Sequence, residues 1–276
     1  MYKYLFGPVP SRRLGISLGF DLVAPKTCNM NCVFCECGVT RELVTERKSY
    51  IDIEEAKKEI LDILKTIKPD CITFSGDGEP TLSSDLGEMI NWIKDNTDVN
   101  VVVITNSGLL HDKKVRDEIN RADIVIPTLN SVNEITMKKI NRPKATIKMD
   151  EIKEGIKALG NEFKGKIYLE TFIIEGINDS LEELDGLYEF LKDVNYTKLQ
   201  LNRLDRPGTE EWVQPASFER LHFIKKYLEE KGLHNVEILG KFHIADNEKI
   251  EKNEELVENM KAKRVYSQEE LNAIYK

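Results

Sequence analysis

Cys28-Asn29-Met30-Asn31-Cys32-Val33-Phe34-Cys35 sets three cysteines at the spacing C-x3-C-x2-C. Thiolates are soft ligands suited to iron–sulfur clusters and to zinc. A structural zinc site or an ordinary cubane takes four protein ligands. Three closely spaced cysteines with the fourth position uncommitted suit a cluster with one open iron, which is useful only where a small molecule is to bind. Phe34, just before the third cysteine, is placed to cover such a cluster and to pack against a flat ring. Cys37 leaves several readings open: completing a zinc site, binding an auxiliary metal, relaying a hydrogen atom, or remaining a free thiol. Cys71 stands alone in an apolar run and reads as a small buried residue.

On both sides of this stretch, strand and helix patterns alternate. Ile16, Leu18 and Phe20 fall at every second position and predict a first strand. Ile53, Ala56, Ile60, Leu64 and Ile67 recur at helical spacing, with Asp52 as N-cap. Short apolar strands are expected at 71–74, 101–104, 124–126, 167–172, 198–202 and 236–239. Helices are expected near 84–96, 112–120, 149–160, 180–193 and 217–231. Repeated strand–helix units of this length imply a parallel sheet with right-handed crossovers, either an open doubly wound sheet or a full or partial barrel. Both architectures gather ligands at the carboxyl ends of the strands. Polar and glycine-rich residues fall there: 75–80, 105–108, 130–131, 170–171 and 202–206.

Beyond about residue 245 the chain is charged and expected to be helical, which divides it into a barrel domain (1–245) and a C-terminal extension (246–276). Its charged stretch, 246–264, reads as a solvated helix. No apolar run approaches the roughly 18–20 residues that span a bilayer, and the first residues lack the apolar core of a secretory signal. The expected location is the cytoplasm, where clustered cysteines serve metal or redox chemistry more readily than disulfides. A formal net charge of -8 counts against a nucleic-acid substrate, whose phosphates call for a basic patch. His111, His222, His234 and His243 show no ligand spacing.

The three-cysteine spacing resembles the signature of the radical S-adenosylmethionine (SAM) superfamily. The resemblance implies a partial (β/α)6 barrel of TIM type with parallel strands and a helical C-terminal tail. It implies a [4Fe–4S] cluster on Cys28, Cys32 and Cys35, whose open iron takes the amino and carboxylate groups of SAM. An external electron donor such as a ferredoxin or flavodoxin would reduce the cluster, and cleavage would yield a 5′-deoxyadenosyl radical. Gly76-Asp77-Gly78-Glu79-Pro80 resembles the superfamily's glycine–glutamate motif, which receives the SAM amino group. Thr105, Asn106, Ser107, Asn130, Glu170, Thr171 and Asn202 stand where the superfamily places ribose, carboxylate and adenine contacts, and Phe34 would shield the base.

Segments at 6–19, 74–82, 141–143, 175–179 and 201–208 are similar to a narrower, wyosine-type group. Its named member condenses a methylated guanosine of tRNA with pyruvate and carries a second cysteine cluster upstream. No cysteine precedes Cys28 here. The substrate is therefore unassigned. Arg12, Arg13, Cys37, Arg142 and Arg206 are candidates to contact it. The alternatives are an activating enzyme acting on a partner protein, a tRNA-modifying enzyme, and a non-catalytic metal-binding or electron-transfer module.

Overall fold

A computed structural model describes residues 2–240 and 249–275. The first two strands, β1 (Leu5–Ser11) and β2 (Gly15–Phe20), form an antiparallel hairpin. Two short strands, β3 (Thr27–Cys28) and β4 (Glu42–Leu43), pair in parallel across the cysteine loop. The chain then runs α1 (Ile53–Ile63), β5 (Cys71–Phe74), α2 (Leu86–Asn96), β6 (Asn100–Thr105), α3 (Lys113–Ile119), β7 (Ile124–Pro127), α4 (Glu134–Asn141) and α5 (Met149–Glu162). It continues β8 (Lys166–Phe172), α6 (Leu181–Leu191), β9 (Lys198–Asn202), α7 (Phe218–Lys231), β10 (Val236–Ile238), α8 (Glu254–Lys263) and α9 (Gln268–Asn272).

The main sheet has the order β1-β2-β5-β6-β7-β8-β9-β10. Every neighbouring pair is parallel except β1–β2. No pairing joins β10 back to β1 among the described residues, so the sheet stays open as in a partial TIM-type barrel. Alternation along the strands explains the layers. Ile72, Phe74, Val101, Val103, Val125, Leu169, Leu199 and Leu201 join the large core with the helices. Cys71, Val102, Ile126 and Tyr168 form a separate cluster on the other face, with Leu14 of the hairpin turn packed against it. Cys71 is thus the small core residue its setting predicts. Asp52 caps α1 by accepting the Glu55 N–H at 3.0 Å.

Besides the two-residue strands β3 and β4, two elements depart from the sequence reading. The first strand is β1, not the Ile16–Phe20 run; Pro8 and Pro10 speak against a strand but are tolerated because β1 is an edge. Helix α4 was unpredicted: it is a short helix that leaves Ile135 exposed and buries Met137 and Ile140.

The tail is not a solvated helix either. Leu256, Val257 and Met260 of α8 are fully buried, the last two packed with Phe6, Ile16, Leu271, Ile274 and Tyr275. Asn259 Nδ2 donates to the carbonyls of Tyr2 (2.8 Å) and Leu5 (3.0 Å), and the Tyr275 hydroxyl donates to that of Pro8 (2.6 Å). The expected boundary at 245, and His243, lie outside the described residues. Met260→Ala is expected to destabilise the fold by about 2–5 kcal/mol, the range for emptying a buried methionine site. Chemical denaturation would read this as a lower midpoint at unchanged slope.

Candidate active site

The cysteine loop is stitched to its surroundings through the backbone. Val44 N–H donates to the Cys28 carbonyl, Asn31 N–H to that of Asn141, and Val33 N–H to that of Ile140. The loop is therefore fixed against the end of α4. Two carboxamides point at its sulfurs: Asn106 Nδ2 lies 3.5 Å from Cys28 Sγ, and Asn141 Nδ2 lies 3.3 Å from Cys32 Sγ. A third, Asn29, is fully buried, and its Nδ2 has no partner among the described residues. Burial pushes the thiols of Cys28 and Cys32 up to about 12.

The Cys35 thiol is held below its ordinary range by a hydrogen bond with Cys37, whose own thiol is raised by the same bond and by burial. Cys37 Sγ also donates to the Gly76 carbonyl at 3.4 Å. Among the described residues no three His, Cys, Asp or Glu side chains converge as a metal set. The chemistry of the donor set nevertheless fits an iron–sulfur cluster. Three soft ligands share one loop, N–H donors reach two of their sulfurs, and Asn29, adjacent in sequence to Cys28, accepts from Asn106 Nδ2 at 2.6 Å while its own Nδ2 is unspent among the described residues.

The glycine–glutamate segment packs tightly beneath this loop. A Cβ on Gly76 would overlap Asp21 Oδ1, and one on Gly78 would overlap the Thr27 carbonyl. Gly76 also has φ +109°, a conformation that favours glycine. Glu79, expected to contact the SAM amino group, has its carboxylate engaged within the fold. It is 2% exposed. Its Oε1 accepts from Thr81 N (3.1 Å), Thr81 Oγ1 (2.6 Å) and Thr105 Oγ1 (2.7 Å), and its Oε2 accepts from Asn106 N (2.8 Å). Burial raises its pKa, and these donors work against the rise. The carboxylate ties the loop after β5 to the end of β6 and so positions Asn106 under Cys28.

Most of the other polar strand-end residues also spend their side chains inside the fold. Ser107 Oγ donates to the Thr128 carbonyl at 2.9 Å, and Thr171 Oγ1 to that of Leu129 at 2.9 Å. Asn130 accepts from Phe172 N–H at 2.9 Å and lies 3.5 Å from Asn141 Oδ1, behind the donor to Cys32. Asn202 Nδ2 donates to Glu170 Oε2 at 3.2 Å. Phe34 stacks on Phe172 with ring centroids 4.2 Å apart and planes 14° apart, which makes a two-ring platform beside the cysteines.

None of the candidate arginines is without an acidic partner. Arg12 pairs with Asp205 and donates to Asn202 Oδ1 at 3.0 Å; Arg13 pairs with Glu170. Arg142, in the left-handed conformation after α4, pairs with Glu210. Arg206 bridges Glu36 (2.7 Å) and Glu270. The tail adds Arg264, whose Nη1 reaches Glu36 at 3.3 Å and whose Nε donates to the Tyr266 hydroxyl at 2.8 Å. Burial alone would raise the Glu36 carboxyl; Arg206 and Arg264 hold it below the usual range. Sequence reasoning missed Asn29, Asn141, Glu36 and Arg264. Asn29 and Asn141 sit inside quoted motifs and Glu36 directly follows one, while Arg264 carries no local signal.

The radical SAM superfamily profile matches residues 23–191, from just before the first cysteine to the end of α6. The chain belongs to the radical SAM superfamily. Among relatives of this radical SAM protein, the UPF0026 protein MJ1312 of Methanocaldococcus jannaschii is 36% identical over 241 residues, covering 86% of this chain and 75% of that one. The protein named GTPase Obg of Brachyspira hyodysenteriae is 38% identical over 228 residues, 82% of this chain. The match covers only 34% of that longer protein. Gly160 and Gly165-Lys166 have the glycine spacing of a phosphate loop, but Ile167 follows and the segment runs from helix into strand, the reverse of what that loop needs. In fold, the chain is similar to TYW1 with a lysine-pyruvate adduct bound, at a TM-score of 0.59 and 18% identity, over 82% of this chain and 76% of that one.

Proposed function

We propose that this radical SAM protein holds a [4Fe–4S] cluster on Cys28, Cys32 and Cys35 and cleaves SAM reductively to initiate hydrogen abstraction from a substrate at the carboxyl ends of the strands. The observation that supports this most directly is the pair of carboxamide donors at Cys28 and Cys32, on a loop fixed at that end of the sheet. Bound together, cluster and SAM supply a 5′-deoxyadenosyl radical when an external donor, of ferredoxin or flavodoxin type, provides an electron.

The chain's own residues bind and orient. Asn106 and Asn141 donate to sulfur. Glu79 fixes Asn106 from behind, and Asn130 stands behind Asn141. The close-packed Gly76 and Gly78 let the loop after β5 lie against Thr27 and Asp21. Phe34 on Phe172 offers a flat apolar surface for an adenine ring. Cys37, spent on Cys35 and the Gly76 carbonyl, supports the loop.

The test is anaerobic reconstitution with iron and sulfide, reduction with dithionite, and detection of 5′-deoxyadenosine from SAM by mass spectrometry. Formation of that product supports the reading; a protein that retains zinc and makes none overturns it. The sulfur donors give a second readout. N–H bonds to cluster sulfurs favour the more negative, reduced state. Asn141→Ala is therefore expected to shift the midpoint potential downward in a redox titration followed by electron paramagnetic resonance. An unchanged potential would remove Asn141 from this role.

A further inference from the structure

One cavity opens between the β1–β2 hairpin and the inner face of the strands. Its lining includes four arginines, Arg12, Arg13, Arg206 and Arg264, and no acidic residue among the described residues. Ser11, Ser17, Thr73 and Ser75 also line it. The acids that balance these cations, Asp205, Glu170, Glu36 and Glu270, are paired to them but do not line the cavity. An ion-pair lattice that merely closed the barrel would have no reason to line one cavity with a single sign of charge. Here four arginines line the cavity and none of their acidic partners does.

The donors are also incompletely used. The Nε of Arg206 is buried without a partner. The bonds of Arg13 to Glu170 and Gln200 both leave from Nη1, so its Nε and Nη2 make none among the described residues. The forks are held in place rather than loose. Tyr266 lies beneath both Arg206 and Arg264, at 4.8 Å and 5.6 Å from ring centroid to guanidinium carbon. Rigid, planar, partly unspent guanidiniums are what carboxylate and phosphate recognition requires.

The cavity adjoins the cysteine loop at two points. Glu36, between Cys35 and Cys37, accepts from Arg206 and Arg264. Ser75, on the lining, precedes Gly76, whose carbonyl accepts from Cys37. We propose that this cavity anchors an oxyanion group of the substrate, so that the rest of the substrate extends toward the cysteine loop. This assignment of substrate class rests on the function proposed above.

Calorimetric titration of the reconstituted full chain with orthophosphate, and separately with succinate, tests it at low ionic strength. Saturable one-site binding of either anion is expected, and the tighter of the two distinguishes phosphate from carboxylate. The double substitution R13Q/E170Q removes a lining cation together with the acid behind it, and is expected to weaken binding at least about tenfold, a typical effect for a charge-assisted contact. Because that change touches a buried pair, the wild type supplies an independent readout. Its thermal midpoint should rise with the bound anion above its value in chloride at equal ionic strength.

Absence of saturable binding by both anions, a midpoint that does not distinguish them from chloride, or binding unchanged in R13Q/E170Q overturns the proposal. Anion binding without 5′-deoxyadenosine formation would leave the anion site standing and sink the radical chemistry on which its role as a substrate anchor rests. The reverse result would do the opposite.

Discussion

Cys32→Ala is expected to reduce bound iron and 5′-deoxyadenosine formation to background while leaving the fold intact. The thiol lies between the two ends of the motif, packs against the core and accepts one side-chain hydrogen bond among the described residues, from Asn141. Its loop is held by backbone bonds that the substitution does not touch, those of Val33, Asn31 and Val44. Loss of one of three thiolates removes an essential ligand rather than adjusting one, so no partial activity is expected. Contrast this with the sulfur donors. Losing a partner of a metal ligand costs about 10–100-fold in affinity or activity, so Asn106→Ala should retain measurable turnover. Cys71→Ala is the matching control. That thiol is in the inner-face core, bonded near Thr73, and its removal should cost stability without affecting iron content. Iron analysis, circular dichroism and the 5′-deoxyadenosine assay on the three variants separate these outcomes. Product formation that persists in Cys32→Ala would refute the ligand assignment.

The second large effect is expected at Glu79, through stability as well as activity. Four donors converge on its carboxylate in a setting almost closed to water. Glu79→Ala strands two backbone N–H groups and two hydroxyls. With each unsatisfied buried group costing about 1–3 kcal/mol and partial relaxation, the loss should reach about 3–5 kcal/mol. That is a large share of a typical stability of about 5–15 kcal/mol. Glu79→Gln keeps one acceptor oxygen and should lose less. If Glu79 acted only as a ligand for an ammonium, Glu79→Ala would leave the unfolding midpoint unchanged. A midpoint unmoved by the substitution would therefore contradict the positioning role.

The sequence carried the strand–helix rhythm because the strands are short, apolar and buried on both faces, a pattern visible residue by residue. It also carried the cysteine loop and the polar strand ends. What it concealed depended on distant partners. β1 was hidden because Pro8 and Pro10 are acceptable only at a sheet edge, and edge position belongs to the tertiary fold. Glu79 read as an open acceptor because nothing local shows that Thr81, Thr105 and Asn106 turn toward it. Asn141 stood in a quoted turn, but its role needed α4 to end against the cysteine loop. The tail read as solvated because its charges outnumber Leu256, Val257 and Met260, the residues of α8 that are buried.

Arg264 and Glu36 meet across 228 residues of chain. Synthesis proceeds at about 5–20 residues per second, so the guanidinium leaves the ribosome on the order of ten to forty seconds after the carboxylate it will hold. Throughout that interval the cysteine loop is made but has no C-terminal cover. Arg264 on Glu36 and Glu270 on Arg206 thus both join this corner late, and delivery of iron and sulfide to the growing chain would find the loop without these contacts.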